Sequence, residues 1–221
     1  MGVLFFVCML GAIALVPIHF LSVEHLKLQE RYGKDKGTRL REVYGLISGW
    51  GFFLFWAGLW FSSQPRFTVP VFTDLAFTVP VVSFLIPIVH LVVFAPFFLI
   101  GAWLGIEGVK QTTLKVAEAH GTEKVVTLGV YSIVRHPQYL GGLLAHVGIS
   151  FLLSAWRSLL FTPLVVVFLY VVSRKEEEEL IKEFGKEYED YKKKVSMFIP
   201  RSRRALWPAR EKRGEMSEIP R

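Results

Sequence analysis

The chain has 221 residues, 52% of them hydrophobic and 14% aromatic, with a formal net charge of +7. A mean hydropathy of +0.41 and long uninterrupted apolar runs exclude an ordinary soluble domain and a disordered chain, so a membrane protein is the first reading. The single cysteine, Cys8, excludes an intramolecular disulfide and sits in the first apolar run as a small hydrophobe.

Residues 2–21 form the first candidate span. The run has no cationic leader and is about 20 residues long, which suits a transmembrane helix better than a cleavable signal. Further spans are expected over 43–61, 79–106, 139–155 and 159–173. The last two are short and separated only by Trp156, Arg157 and Ser158, which predicts a tight helical hairpin, with a pair dipping partway into the membrane as the alternative. The third carries Pro80, Pro87 and Pro96 and should be kinked or broken. Gly45 and Gly49, and Gly101 and Gly105, are small pairs four apart that would let helices approach closely.

The cations follow the spans. The first connection holds Lys27, Arg31, Lys34, Lys36, Arg39 and Arg41, and the second only Arg66. The third has Lys110, Lys115, Lys124 and Arg135, and the fourth Arg157 alone. Rich and poor connections alternate, which predicts five spans with the N-terminus outside and the C-terminus in the cytoplasm. The basic charge is thereby explained as topology, without nucleic acid as a partner. The expected fold class is an all-α membrane protein: a five-span domain over 1–173, a cytoplasmic amphipathic helical segment over 174–200, and a basic tail over 201–221 that could lie on anionic headgroups.

Two polar stretches interrupt this plan. The first, VYSIVRHPQYLGG at 130–142, sets a cation, a titratable ring and a proline together at the entry to the fourth span. Pro137 suits a helix start, since it needs no amide partner there. The second, SRKEEEELIKEFGKEYEDYKKKV at 173–195, reads as an amphipathic helix. Leu180, Phe184, Tyr188, Tyr191 and Val195 form its apolar stripe, and Glu178–Lys182 and Glu189–Lys193 are supporting pairs four apart. Gly185 costs such a helix about 1 kcal/mol relative to alanine and marks a place to break. Four consecutive glutamates at a cytoplasmic membrane boundary are unusual, because carboxylates kept there generally have a cation to hold.

Together the stretches resemble the integral-membrane methyltransferase family that includes isoprenylcysteine carboxyl methyltransferase and the phospholipid N-methyltransferases. The likeness lies in VVTLGVYSIVRHPQYLGG, with its G-x-Y and R-H-P-x-Y-x-G elements, and in KEEEELIKEFGKEYEDYKKKVSMFIP, with a double glutamate, F-G-x-E-Y-x-x-Y and a closing I-P. It covers roughly 125–200; the first three spans match only in being apolar. The resemblance implies S-adenosylmethionine as cofactor, and the chain has no G-x-G-x-x-G helix start that would suggest a Rossmann-type site instead. It also implies that Gly129, Tyr131, His136 and Tyr139 line the cofactor pocket and that Glu176 and Glu177 close it from the other side, with the 174–200 segment as a cap. The cofactor's own carboxylate would take a donor from Arg135 or His136.

The acceptor is expected to be lipophilic or prenylated and to arrive from the membrane lipids. If it is a carboxylate it is already ionised, and Arg135 or Arg174 would orient it in the catalytic role. If it is an amine or a thiol, His136 is the nearest base in sequence. His19, His25, His90, His120 and His146 show no ligand spacing, so no metal is expected; His90 and His146 are polar groups inside spans. Two other readings exist. Membrane sterol and steroid reductases share a cytoplasmic asparagine-tyrosine block, but Gln138 stands at the asparagine position and a nicotinamide phosphate wants cations rather than glutamates. A non-enzymatic scaffold that recruits lipid through its basic tail is the other.

Overall fold

Helix α1, Val3–Val23, is 21 residues long, or about 32 Å, enough for a hydrocarbon layer of about 30 Å. After the bend at Glu24 comes a short amphipathic helix, α2 (His25–Tyr32), and then α3, Lys34–Phe61. The computed structural model describes residues 2–71, 75–79, 84–112 and 125–200. The tail over 201–221, and with it Lys115, His120, Lys124 and Pro80, lies outside the described residues.

Helix α3 begins nine residues before the expected span, because its charged lead continues the helix below the apolar part. Its pairing with α1 is antiparallel: Gly11 meets Phe55, Gly51 meets Leu15, and Gly58 meets Cys8. Phe5, Cys8 and Leu59 are buried at this contact, with Phe55, Trp56 and Phe161 packed around them.

The third expected span is corrected at both ends. Strands β1 (Ala76–Val79) and β2 (Phe84–Pro87) form an antiparallel hairpin, and helix α4 runs over Ile88–Thr112. A short apolar run such as FLIP reads equally well as strand or helix by hydropathy. Pro87, which has no amide to donate inside a helix, is the last strand residue before α4 starts.

Helix α5, Pro137–Leu152, packs along α4. A Cβ on Gly101 would sit 2.7 Å from the Gly141 carbonyl, and one on Gly141 would sit 2.6 Å from the Gly101 carbonyl. Gly105 and Gly49, expected as contact residues, have open space at the Cβ position. At 16 residues, α5 is about 24 Å long and falls short of a full hydrocarbon thickness. The residues expected to link it to the next helix, Trp156 to Ser158, are instead the first turn of α6 (Trp156–Phe184). The link is Leu153 to Ala155, with Ser154 at φ 51°.

Helix α6 does not stop at 173. It runs without a break from the apolar half into KEEEELIKEF, all helix-tolerant residues, and ends at Gly185, whose φ of 55° turns the chain into α7 (Lys186–Lys194). Among the described residues, α1, α3, α4 and α6 are long and apolar enough to cross a membrane. The architecture among the described residues is that of an all-α integral membrane protein with one small hairpin.

Two buried histidines inside the bundle are tied to partners. His146 Nδ1 accepts from the indole nitrogens of Trp56 at 2.6 Å and Trp60 at 3.2 Å, so its Nε2 donates to the Ser158 carbonyl at 3.1 Å. His90 lies 2.9 Å from the Ser154 hydroxyl and accepts from the Val69 amide at 3.4 Å.

Candidate functional site

One cluster at the charged end of the bundle is built around the entry to α5. A single 3₁₀ turn, Gly129–Ser132, leads in, and Gly129 adopts φ 56°. That dihedral calls for glycine, and the Gln111 amide at the end of α4 lies against the open side of the turn, 2.2 Å from where a Cβ would sit. The 134–136 backbone is then held by the segment after α7: the Arg135 amide donates to the Ser196 carbonyl at 2.9 Å and the His136 amide to the Met197 carbonyl at 3.3 Å.

Arg135 sits at the centre. Its Nε and Nη2 both lie 2.7 Å from Oε1 of Glu177, and Nη1 donates to the carbonyls of Lys192, at 3.2 Å, and Val195. Glu177 is fully buried, and Lys192 Nζ stands 2.8 Å from its Oε2. Burying a carboxylate costs several kcal/mol unless cations surround it, and here they do.

His136 lies between two carboxylates, with Nε2 3.3 Å from Glu177 Oε1 and Nδ1 3.4 Å from Glu176 Oε2. Burial alone would push its pKa down, but the hydrogen bonds to Glu176 and Glu177 outweigh that and raise it above the ordinary histidine value. Its ring is nearly parallel to that of Tyr139, at 8° and 5.7 Å, and the Tyr139 hydroxyl donates to Glu176.

The four adjacent glutamates separate by direction, as the 3.6-residue period requires. Glu176 and Glu177 face the His136 corner. Glu179, buried on another face, accepts from the Leu26 amide at 3.3 Å and holds Lys182 at 2.6 Å, so the expected Glu178–Lys182 pair is replaced by one three apart. Lys175 pairs with Glu24, and His25 Nε2 lies 3.5 Å from Glu183. Helix α6 is thus gripped by the His136 corner and by the α1–α2 bend.

Of the eight residues singled out in the sequence, Arg135, His136, Tyr139, Glu176 and Glu177 are brought into mutual contact. Tyr131 joins from the rim: its hydroxyl receives Gln138 Nε2 at 3.2 Å, and its carbonyl accepts from the Tyr191 hydroxyl at 2.6 Å. Arg174 is exposed on α6 and makes no hydrogen bond or ion pair among the described residues. Lys192, Gln111 and Gln138 were not anticipated. For Lys192 the signal was present: it lies four residues after Tyr188 and therefore on the same face of α7 as that buried ring.

An apolar cavity of about 370 Å³ lies alongside, between α1, α3 and α6, with His19, Gly45, Phe52, Trp56 and Phe168 in its walls. Tyr139 belongs to its lining as well. Trp50 and Phe53 also line it and are 61% and 67% exposed, so it reaches the outer surface of the helices.

Residues 89–187 match the family model for phospholipid methyltransferases. The chain is 34% identical over 135 residues to methanethiol S-methyltransferase 1 of Bradyrhizobium diazoefficiens, covering 58% of this chain and 43% of that protein. It is 40% identical over 77 residues to protein-S-isoprenylcysteine O-methyltransferase of Schizosaccharomyces pombe, covering 34% and 33% of the two chains. To the Homo sapiens protein of that name it is 34% identical over 96 residues, covering 38% and 30%. The chain spans less than half the length of these curated relatives. No solved structure matches.

Proposed function

We propose, on the premise that the chain belongs through residues 89–187 to the integral-membrane methyltransferase family of phospholipid and isoprenylcysteine methyltransferases, that it transfers a methyl group from S-adenosylmethionine to a lipophilic acceptor. The observation that carries this reading is the meeting of the His136–Tyr139 corner with Glu176 and Glu177 beside an apolar cavity.

The residues present suit the cofactor. The backbone at Gly129 and Tyr131 forms a turn that a Cβ would fill, and the buried Oε1 of Gln111 beside it has no hydrogen-bond partner among the described residues. Glu176 and Glu177 complement an α-amino group, ribose hydroxyls and a sulfonium cation. When bound, S-adenosylmethionine supplies an electrophilic methyl group. The protein's part is orientation, since in-line displacement is dominated by positioning.

Arg135 acts by fixing Glu177, and the exposed Arg174 is a cation available to orient an acceptor carboxylate. A prenylcysteine-type carboxylate is the acceptor favoured by this chemistry. It is ionised at neutral pH and needs no base, and His136, held between two carboxylates, is a poor one. Entry is from the bilayer, past Trp50 and Phe53. The N-terminus lies outside and the charged end, with Lys27, Arg31, Lys34 and Lys36, faces the cytoplasm. A nicotinamide phosphate would meet two carboxylates in this site, which argues against the reductase reading.

A small thiol is the second acceptor class, favoured by the match to a protein named for methanethiol. The test is methylation in proteoliposomes with radiolabelled S-adenosylmethionine, offering N-acetyl-S-farnesylcysteine and methanethiol separately. Label that base releases as methanol identifies a methyl ester and supports the carboxylate reading. Volatile labelled thioether identifies the thiol. No transfer to either, nor to a total membrane lipid extract, overturns the lipophilic-acceptor proposal.

A further inference from the structure

The charges at the His136 corner are not equivalent in what they have left to offer. Arg135 is committed: its Nε, Nη1 and Nη2 are all engaged by Glu177 and by the carbonyls of Lys192 and Val195. His136 has a carboxylate at each ring nitrogen. The Tyr139 hydroxyl is given to Glu176. Lys192 is different. Its ammonium has three donor hydrogens and, among the described residues, one charged neighbour, Glu177 Oε2 at 2.8 Å. Its side chain is 29% exposed, whereas that of Glu177 is fully buried. It therefore stands at the boundary between the closed cluster and the solvent from which a nucleoside would arrive.

Its placement is built by the fold. Tyr191, one residue earlier, is buried and donates to the Tyr131 carbonyl, and Tyr188, one turn earlier, is buried as well. Lys193, by contrast, is 70% exposed and pairs with Asp190. Helix α7 is thus fixed so that Lys192 reaches inward to Glu177. With Arg135 and His136 already engaged by Glu176 and Glu177, Lys192 is the cation of the corner with ammonium hydrogens left for one further anion.

We infer that Lys192 is the positioning cation for the α-carboxylate of the methyl donor, with Glu177 holding the ammonium ready for it. This rests on the cofactor reading above. Binding would leave the Glu177 contact in place and use a second ammonium hydrogen for the incoming carboxylate, a charge-assisted bond of the stronger kind.

The experiment uses the full chain in detergent and calorimetry with two unreactive probes: S-adenosylhomocysteine and its decarboxylated analogue, which differ only in the carboxylate. Wild-type protein is expected to prefer S-adenosylhomocysteine. Lys192→Met should weaken that ligand by roughly tenfold or more while leaving the decarboxylated analogue unmoved, and Lys192→Arg should restore much of the loss. Equal weakening of both ligands, or of neither, by Lys192→Met overturns the inference and leaves the cofactor reading intact. Absence of binding of both ligands to folded wild-type protein overturns the two together. Should Lys192→Met fail to fold, Lys192→Gln is put through the same comparison.

Discussion

Arg135 and Glu177 form a buried pair in which two guanidinium nitrogens approach a single carboxylate oxygen at 2.7 Å, with the arginine side chain 8% exposed and the glutamate not exposed at all. The pair spans 42 positions of sequence and joins the entry of α5 to the polar half of α6. Through Nη1 it also holds the backbone that follows Lys192, so one side chain fastens three segments.

Removing one partner should therefore cost more than removing both. Arg135→Met leaves Glu177 buried with fewer cations and is expected to destabilise the protein by about 3–5 kcal/mol. Adding Glu177→Leu to that variant should recover part of the loss. Thermal unfolding in one detergent, compared across wild type, both single variants and the double, measures the coupling. Strictly additive effects would show that the pair contributes nothing jointly.

The expected pH dependence follows from His136. Its folded-state pKa is raised, so the stability it contributes is fully present below its unfolded value of about 6.5 and is lost as pH rises through the higher folded value. The thermal midpoint of wild type should fall as pH increases across that interval, and His136→Gln should flatten that part of the profile. Midpoints recorded from pH 6 to 9 for the two proteins decide it. A wild-type midpoint that rises over this range would contradict the assignment.

Much of this arrangement could be read from the residues. R-H-P announces a helix start, and Pro137 is the first residue of α5. The acidic run announces a cation partner, and Arg135 stands against Glu177. Gly185 announces a break, and α6 ends beside it. What escaped depended on three-dimensional direction. Hydropathy could not distinguish the strand at Phe84–Pro87 from the start of a helix. Nor could it show that the glutamates divide between two faces, since Glu179 finds its partner at Leu26, 153 positions away. Lys192 sits in a chemically uniform lysine run, and its one readable mark is its spacing from Tyr188, which with Tyr191 anchors α7 so that this lysine faces inward.

The α4–α5 crossing is a second point of sensitivity, because it sets the height of the His136 corner. Gly141→Val would drive methyl groups into the Gly101 carbonyl, 2.6 Å from the Cβ position, and the helices would have to separate. A stability loss of roughly 1–3 kcal/mol is expected, together with weaker binding of S-adenosylhomocysteine. Gly105→Val, placed one turn from Gly101 in open space, is the control that should leave both nearly unchanged. Equal effects from the two variants would mean that close helix approach is not what positions the site.

The cavity provides the sharpest separation between binding the donor and binding the acceptor. Gly49 lines it, and a Cβ there meets nothing within 4 Å, so Gly49→Leu can be accommodated without repacking α3 against α1. The added side chain would occupy part of a volume of about 370 Å³ whose lining includes neither Glu176 nor Glu177. Methylation of a farnesylated acceptor should fall, seen chiefly as a higher KM, because an apolar chain loses wall contact worth about 0.8 kcal/mol per buried methylene. Affinity for S-adenosylhomocysteine and the unfolding midpoint should stay at wild-type values. A small thiol acceptor should be methylated as before, since it does not fill the cavity. If instead farnesylated and small acceptors respond alike, the cavity is not where the acceptor's tail resides, and the route from the bilayer to Tyr139 must lie along another face of the bundle.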